Sequence, residues 1–155
     1  MDHCQRSART GRRWILLVAL AGMWIPGCGG DGLDRVPIVG KVTLGGEPLG
    51  GAVLSFIPAA NTPGDGALGI ADETGTFEVI SSRKSDKGIP AGSYTVRVSR
   101  RVLFDGTPLP PDLPEADVPD SRESVPLPYS SIDSPLTVVI PEGGGDLHVD
   151  IPLES

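Results

Sequence analysis

Apolar and polar residues alternate along most of the chain after residue 35, which is the pattern of half-buried β-strands. The last such segment shows it most clearly. There the apolar side chains from Leu147 to Leu153 alternate with the polar side chains Asp146, His148 and Asp150. Helix-period segments are scarce in the same part of the chain. The pattern therefore predicts an all-β domain.

Turn-forming residues divide this alternation into separate strands. Pro58 ends one strand because proline cannot donate to a ladder, and Asp72 and Gly75 are placed to form a tight turn between two others. Tyr94 is predicted to point inward with its hydroxyl bound to a backbone acceptor. The predicted strands are residues 36–44, 52–57, 67–71, 76–80, 92–99, 136–140 and 146–153. Seven strands of this kind are typical of a small Greek-key β-sandwich.

The alternation stops in the segment 102–135. Its 34 residues include eight prolines and seven acidic residues, which interfere with both helices and ladders. Loops of this length are uncommon in compact domains. Two interpretations stay open: a binding or lid loop, or a solvated insertion with extended pieces that run along the sandwich.

The beginning of the chain has a different pattern. Residues 12–27 start with two arginines, continue with an apolar run and end on a small residue, which describes a secretory signal. The residues Ile25-Pro26-Gly27-Cys28 resemble the lipobox of bacterial lipoproteins. That resemblance implies cleavage between Gly27 and Cys28 and a lipid on Cys28. The alternatives are a plain membrane helix or an ordinary signal peptide, and export by the Sec or the twin-arginine route stays open.

The chain is thereby divided into a signal peptide at 1–27, a flexible tether at 28–35 and a domain at 36–155. The full chain has a net charge of −7, and without the four arginines and one aspartate of the leader this becomes about −10. So acidic a domain repels nucleic acid. The chain has two cysteines, Cys4 and Cys28, so the domain is left without a disulfide or a thiolate metal site.

Catalytic and metal-binding patterns are sparse after the leader. His148 is the one histidine there, and the alternation places it on the exposed face of a strand, away from any predicted nucleophile. Calcium ligands would have to come from carboxylates without EF-hand spacing. The carboxylates considered are Asp112, Glu115, Asp117 and Asp120 in the long segment, or Asp72 with Glu73. The sequence therefore predicts no catalytic residue, metal or cofactor.

Two small groups of residues remain as binding candidates. Arg97, Arg100 and Arg101 form a basic cluster, which is expected to pair with nearby carboxylates, with an acidic-ligand or lipid-headgroup site as the alternative. Phe104 and Tyr129 are the aromatics that the predicted core does not require, so they are the candidates for sugar stacking.

Several segments together resemble the carboxypeptidase regulatory-like, transthyretin-like (prealbumin-type) β-sandwich of many small bacterial lipoproteins. They are VGKVTLGGEPL at 39–49, GAVLSFIP at 51–58, ADETGTF at 71–77, IPAGSYTVRV at 89–98, and VPLPYSS with SPLTV within 125–138. The resemblance implies a non-catalytic sandwich. The 5-hydroxyisourate hydrolases share only this fold class, and their C-terminal Tyr-Arg-Gly-Ser is replaced here by Leu153-Glu154-Ser155.

Taken together, these patterns predict a non-catalytic protein that is exported and held by a lipid on Cys28 at a bacterial cell membrane or outer membrane. The domain would face the periplasm or the cell surface. Its expected partners are the membrane, through the lipid, and an envelope protein or glycan. The alternative is a carbohydrate- or peptide-binding module at the cell surface.

Overall fold

The computed structural model describes residues 32–59, 61–82, 87–110, 113 and 117–152. These residues form ten strands in chain order. The strands are β1 (Ile38–Leu44), β2 (Glu47–Pro48), β3 (Val53–Pro58), β4 (Ala67–Ile70), β5 (Thr76–Ser81), β6 (Gly92–Ser99), β7 (Arg101–Val102), β8 (Arg122–Glu123), β9 (Thr137–Ile140) and β10 (Gly145–Ile151).

All seven predicted strands are present, as β1, β3, β4, β5, β6, β9 and β10, with bounds that differ from the prediction by at most two residues. The short strands β2, β7 and β8 were not predicted. β2 arises because Gly45 and Gly46 both adopt positive φ, 60° and 85°, and so form a two-residue hairpin turn. Residues 45–48, for which the sequence predicts only a turn, thus also form a short strand beside β1.

The chain is an all-β sandwich in which one strand belongs to both sheets. The order of the long strands is β10-β1-β5-β4-β3-β6-β9, antiparallel throughout except for β10 beside β1. The first half of β5 pairs with β1 and its second half with β4. The neighbouring strands β6-β3-β4-β5 have the spatial order of a Greek key, as predicted.

Every one of the seven long strands contributes side chains to one hydrophobic core. At its centre the ring of Phe56 lies 6.2 Å from that of Phe77 and 6.5 Å, edge on, from that of Tyr94. Phe77 fits because two glycines lie beside its ring: Gly40, directly across the ladder in β1, and Gly69 of β4, which stands opposite Val79. A Cβ at Gly40 would lie 2.5 Å, and one at Gly69 2.9 Å, from atoms of its ring. Such contacts are closer than real Cβ atoms make, so the two glycines create the space that the aromatic ring fills.

The described part of the segment 102–135 packs against the sandwich at several points, and its role as a binding loop or an insertion stays open. β7 and β8 pair with each other in a separate two-stranded ladder, and the amide of Val98 in β6 donates to the carbonyl of Tyr129. Val125 and Tyr129 belong to the core. Tyr129 is only 7% exposed, so the prediction of an exposed sugar-stacking aromatic is wrong for this residue. Its ring is apolar enough to be buried where the loop crosses the sheet.

Candidate functional site

The predicted lipid site lies outside the described residues. Gly27, Cys28 and the rest of the predicted signal peptide precede Gly32, where the described chain begins. Among the described residues, no helix is both long and apolar enough to cross a membrane. Lipidation of Cys28 therefore stays a prediction.

His148 is exposed on β10, as the alternation predicts, and stands opposite Lys41 of β1 in the parallel ladder. Both residues line a shallow surface pocket of about 320 Å³, together with Thr76 and Asp146. Among the described residues, no group of three His, Cys, Asp or Glu side chains is placed to hold a metal ion.

Asp72 organises the turn between β4 and β5. Its Oδ1 accepts hydrogen bonds from the hydroxyl and the amide of Thr74 and from the amide of Thr76, at 2.7, 2.8 and 3.0 Å. The hydrogen bond from the Thr74 hydroxyl, followed by the one from the Thr76 amide, lowers the pKa of Asp72 from its usual value of 3.8. Gly75 supplies the left-handed position of this turn with φ of 77°. The predicted turn is confirmed, and Oδ1 of Asp72 stabilises it by accepting these hydrogen bonds.

The other carboxylates considered for calcium do not form a described cluster. Asp117 and Asp120 are exposed in the long segment, and Asp112 and Glu115 lie outside the described residues. Glu73 is exposed beside Asp72.

The three arginines of the basic cluster donate to oxygen atoms that hold separate parts of the chain together. Nε of Arg97 donates to the carbonyl of Ser130 at 2.8 Å, and Nε of Arg100 donates to the carbonyl of Gly50 at 2.7 Å. The guanidinium of Arg101 donates to both the carbonyl and the hydroxyl of Ser121. Pairing with carboxylates was expected for this cluster. For Arg97 and Arg100 the described structure shows bonds to backbone carbonyls instead.

Sequence reasoning missed the role of Glu123. Its carboxylate accepts hydrogen bonds from the hydroxyl of Ser99 at 2.6 Å and from the amides of Arg100, Ser124 and Val125 at 2.8 to 3.0 Å. This side chain therefore joins the end of β6 to the segment 102–135. No sequence signal distinguishes it from the segment's other acidic residues, since the contact depends on where the chain returns.

The second feature that sequence reasoning missed is an apolar surface, here called the outer face: the solvent side of the sheet β5-β4-β3-β6-β9. Leu68 and Ile70 of β4 and Ile80 of β5 are 38%, 46% and 37% exposed, and Leu68 stands directly opposite Ile80. Ile70 stands opposite Val53 of β3. Adjacent exposed aliphatic side chains on one sheet are unusual for a surface that only contacts water.

Charge is sparse on the outer face. Arg97 projects from β6 on this side of the sheet, and Glu78, at the border formed by β5, is paired with Lys87 at 3.0 Å. The chain as a whole carries a net charge of −7. Its excess carboxylates therefore lie mostly elsewhere, which leaves this face able to approach another apolar surface without strong repulsion.

No protein-family model matches the chain, and no curated protein is significantly similar to it. The assignment to an all-β sandwich therefore stands on the strand order and packing described above.

Proposed function

We propose that this protein is a non-catalytic, lipid-anchored component of the bacterial cell envelope whose β-sandwich is an accessory domain of the carboxypeptidase regulatory-like, transthyretin-like kind. In this proposal the outer face contacts an apolar surface of another envelope protein. The observation that carries the proposal is the set of adjacent exposed aliphatic side chains on one sheet of an otherwise acidic chain.

The length of the predicted tether is consistent with presentation close to a membrane. Val36 exchanges two backbone hydrogen bonds with Ile89, at 3.0 and 3.1 Å, which fix its position on the folded domain. From Cys28 to Val36 the chain advances eight residues, which can span at most about 28 Å. Two or more acyl chains at Cys28 would give stable anchoring, because each buried CH₂ contributes about 0.8 kcal/mol.

The arrangement of polar groups supports a non-catalytic role. Glu123 and Oδ1 of Asp72 are engaged in bonds to the backbone of the same domain, and the Tyr94 hydroxyl donates to the Pro90 carbonyl at 2.8 Å. His148 is exposed and faces Lys41 rather than a carboxylate in the ladder. A catalytic base needs an orienting partner and a nucleophile within hydrogen-bonding reach.

Carbohydrate binding is the second candidate, and Phe104 is the observation that favours it. Its side chain is 77% exposed in the segment that follows β7, as a stacking platform requires. The burial of Tyr129 leaves Phe104 as the sole member of the proposed aromatic pair on the surface. One aromatic presents less stacking area than a sugar site usually has, so protein contact ranks first.

The anchor is tested by replacing Cys28. We expect Cys28→Ala to move the protein from the membrane fraction to the soluble fraction and to abolish the mass increment of the acyl chains in intact mass spectrometry. Cys4→Ala is the matched control, because the leader that contains Cys4 is removed. A wild-type protein without lipid mass, together with a Cys28→Ala variant that still sediments with membranes, would show that the anchor proposal is wrong.

The outer face is tested by placing a charge on it. Burial of each half-exposed aliphatic side chain by a partner contributes about 1 to 2 kcal/mol, so Ile80→Glu should weaken capture of the partner by at least ten-fold. Lys41→Glu, which changes a side chain of β1, is the control. A glycan array run beside the protein pulldown separates the two candidates. Glycan binding lost in Phe104→Ala, with protein capture unaffected by Ile80→Glu, would favour the carbohydrate function.

A further inference from the structure

A groove at the end of the sandwich contains opposite charges that do not pair with each other. It has a volume of about 520 Å³, and its lining includes Arg100 together with Asp72 and Glu73. Pro108 and Leu109 of the long segment form its apolar wall. Volumes of this size are typical of sites for small organic ligands.

The guanidinium of Arg100 is held in place while its ends remain available. Its Nε donates to the Gly50 carbonyl, its amide donates to Glu123, and its carbonyl accepts from both the amide and the hydroxyl of Ser124. The two terminal nitrogens make no hydrogen bond within the described part of the chain. A guanidinium fixed in this way loses little freedom when it binds a carboxylate in the bidentate geometry that it prefers.

The carboxylates across the groove are likewise available. All the hydrogen bonds that Asp72 receives in the described structure end on Oδ1, which leaves Oδ2 open. Glu73 makes no hydrogen bond or ion pair among the described residues. In the described structure neither Asp72 nor Glu73 forms an ion pair with Arg100, whose Nε is bound to the Gly50 carbonyl.

Glycine at two positions makes this geometry possible. A Cβ on Gly50 would lie 3.0 Å from Cα of Glu73, and one on Gly51, which has φ of 76°, would lie 2.8 Å from Cβ of Pro108. Gly50 thus allows close approach of the acidic turn, and Gly51 allows close approach of Pro108. Because the neighbouring atoms belong to the backbone or to a proline ring, a side chain at either position would force them to shift.

We propose that this groove binds a short peptide with free termini. Its carboxylate would bind the guanidinium of Arg100, and its ammonium group would bind Glu73 and Oδ2 of Asp72. Nε of Arg100 is bound to the Gly50 carbonyl and the backbone of Glu73 lies beside Gly50, so the ligand that joins their charges is short. Two or three residues, which span about 7 to 11 Å, fit that requirement. The site goes beyond the proposed function and does not depend on acylation of Cys28.

The test is an NMR titration of the full chain in a mild detergent, with trialanine, N-acetyl-trialanine and trialanine amide as probes. We expect free trialanine to shift the amide signals of Gly50, Gly51 and Ala71, and each blocked peptide to bind about ten-fold more weakly. Equal affinity for the three peptides, or no shift at a peptide concentration of about 10 mM, would overturn the proposal. Shifts confined to the edge strands β9 and β10 would also overturn it, because they would indicate strand pairing.

Charge-neutral variants assign the two ends of the ligand. Glu73→Gln should bring free and N-acetylated trialanine to within about three-fold of each other, while Arg100→Gln should do the same for free and amidated trialanine. Glu142→Gln is the control, because Glu142 is exposed and lies outside the groove lining, and it should leave all three affinities unchanged. Arg100→Gln also removes the hydrogen bond from Nε to the Gly50 carbonyl. If that variant does not fold, the result of Glu73→Gln decides the test, because Glu73→Gln disturbs no described hydrogen bond.

Discussion

Replacement of Glu123 by alanine should destabilise the whole sandwich, although Glu123 belongs to the segment 102–135. The carboxylate accepts bonds from the amides of Arg100, Ser124 and Val125 and from the hydroxyl of Ser99. Hydrogen bonds to a charged group contribute about 1.5 to 3 kcal/mol each. The sum overstates the loss because Glu123 is half-buried and water can reach some of the released donors. We therefore expect the free energy of unfolding to fall by about 3 kcal/mol.

Glu123→Gln removes the negative charge of the side chain while keeping its shape and size. The amide side chain keeps one carbonyl oxygen for the three backbone donors, and Ser99 can turn its hydroxyl to accept a bond from the new NH₂ group. The loss should then be about 1 kcal/mol. Both values are measured by urea unfolding of the full chain in a mild detergent, followed by far-ultraviolet circular dichroism.

Glu142→Ala is the matched control, because Glu142 is exposed in the turn before β10, and its effect should stay within about 0.5 kcal/mol. Hydrogen exchange adds a local readout: the amides of Ser124 and Val125 should lose protection in Glu123→Ala. If the alanine variant unfolds within about 0.5 kcal/mol of the wild type, Glu123 does not join the long segment to β6 in the way that we argue.

Three further changes test the core and its turns. Tyr94→Phe leaves the Pro90 carbonyl without its donor in a buried position, which should cost about 1 to 2 kcal/mol of unfolding free energy. Gly75→Ala places a Cβ 2.6 Å from the Val42 carbonyl at positive φ, so it should cost about 2 kcal/mol or more in the same measurement. The lowered pKa of Asp72 stabilises the fold above the pKa of the unfolded chain, and this contribution is lost as the pH falls through the folded pKa. Urea unfolding at a series of pH values should therefore show wild type and Asp72→Asn converging in acid.

Each of these changes has a control in the same chain. Tyr129→Phe removes a hydroxyl that makes no hydrogen bond among the described residues and should be nearly neutral. Gly46→Ala places its Cβ in open space at a φ of 85°, so it should show only the backbone cost, about 1 kcal/mol. The pKa of Asp105 is also lowered, by the hydrogen bond from the Thr107 amide. Because Asp105 is unchanged in the Asp72→Asn variant, its own contribution to the acid dependence is the same in both proteins. If Asp72→Asn keeps the full acid dependence of the wild type, the dependence does not come from the β4–β5 turn.

The parts of the fold that follow from local chemistry could be predicted from the sequence. Side chains alternate across a strand with a period of two, so the apolar positions of β6 and β10 identify both the strands and their inward faces. The Asp72 turn and the hydroxyl bond of Tyr94 also join residues no more than four positions apart. Interactions of that range depend on the local sequence alone.

The exceptions depend on contacts between distant parts of the chain. Thr43 alternates with Val42 and would be expected on the outward face, yet it is buried, and its hydroxyl donates to Oδ1 of Asp150 at 2.5 Å. The two residues meet because β10 returns parallel to β1, which the spacing of the strands does not specify. The outer face was missed for the same reason. Leu68 and Ile70 share one face of β4, and Ile80 of β5 becomes their neighbour only in the sheet.

The long segment shows how a proline-rich stretch can be ordered without a hydrophobic period. Proline fixes its own φ and has no N–H, so a chain rich in proline loses less entropy on folding and leaves fewer donors that need a ladder partner. The remaining polar groups can then be satisfied one at a time by side chains and single backbone bonds. The guanidinium of Arg101 donates to the carbonyl of Ser121, and the hydroxyl of Ser99 at the end of β6 donates to the carboxylate of Glu123. The amide of Leu109 donates to the carbonyl of Arg101. Such irregular contacts leave no repeating pattern in the sequence, and the same contacts place Pro108 and Leu109 beside Arg100 as the wall of the groove.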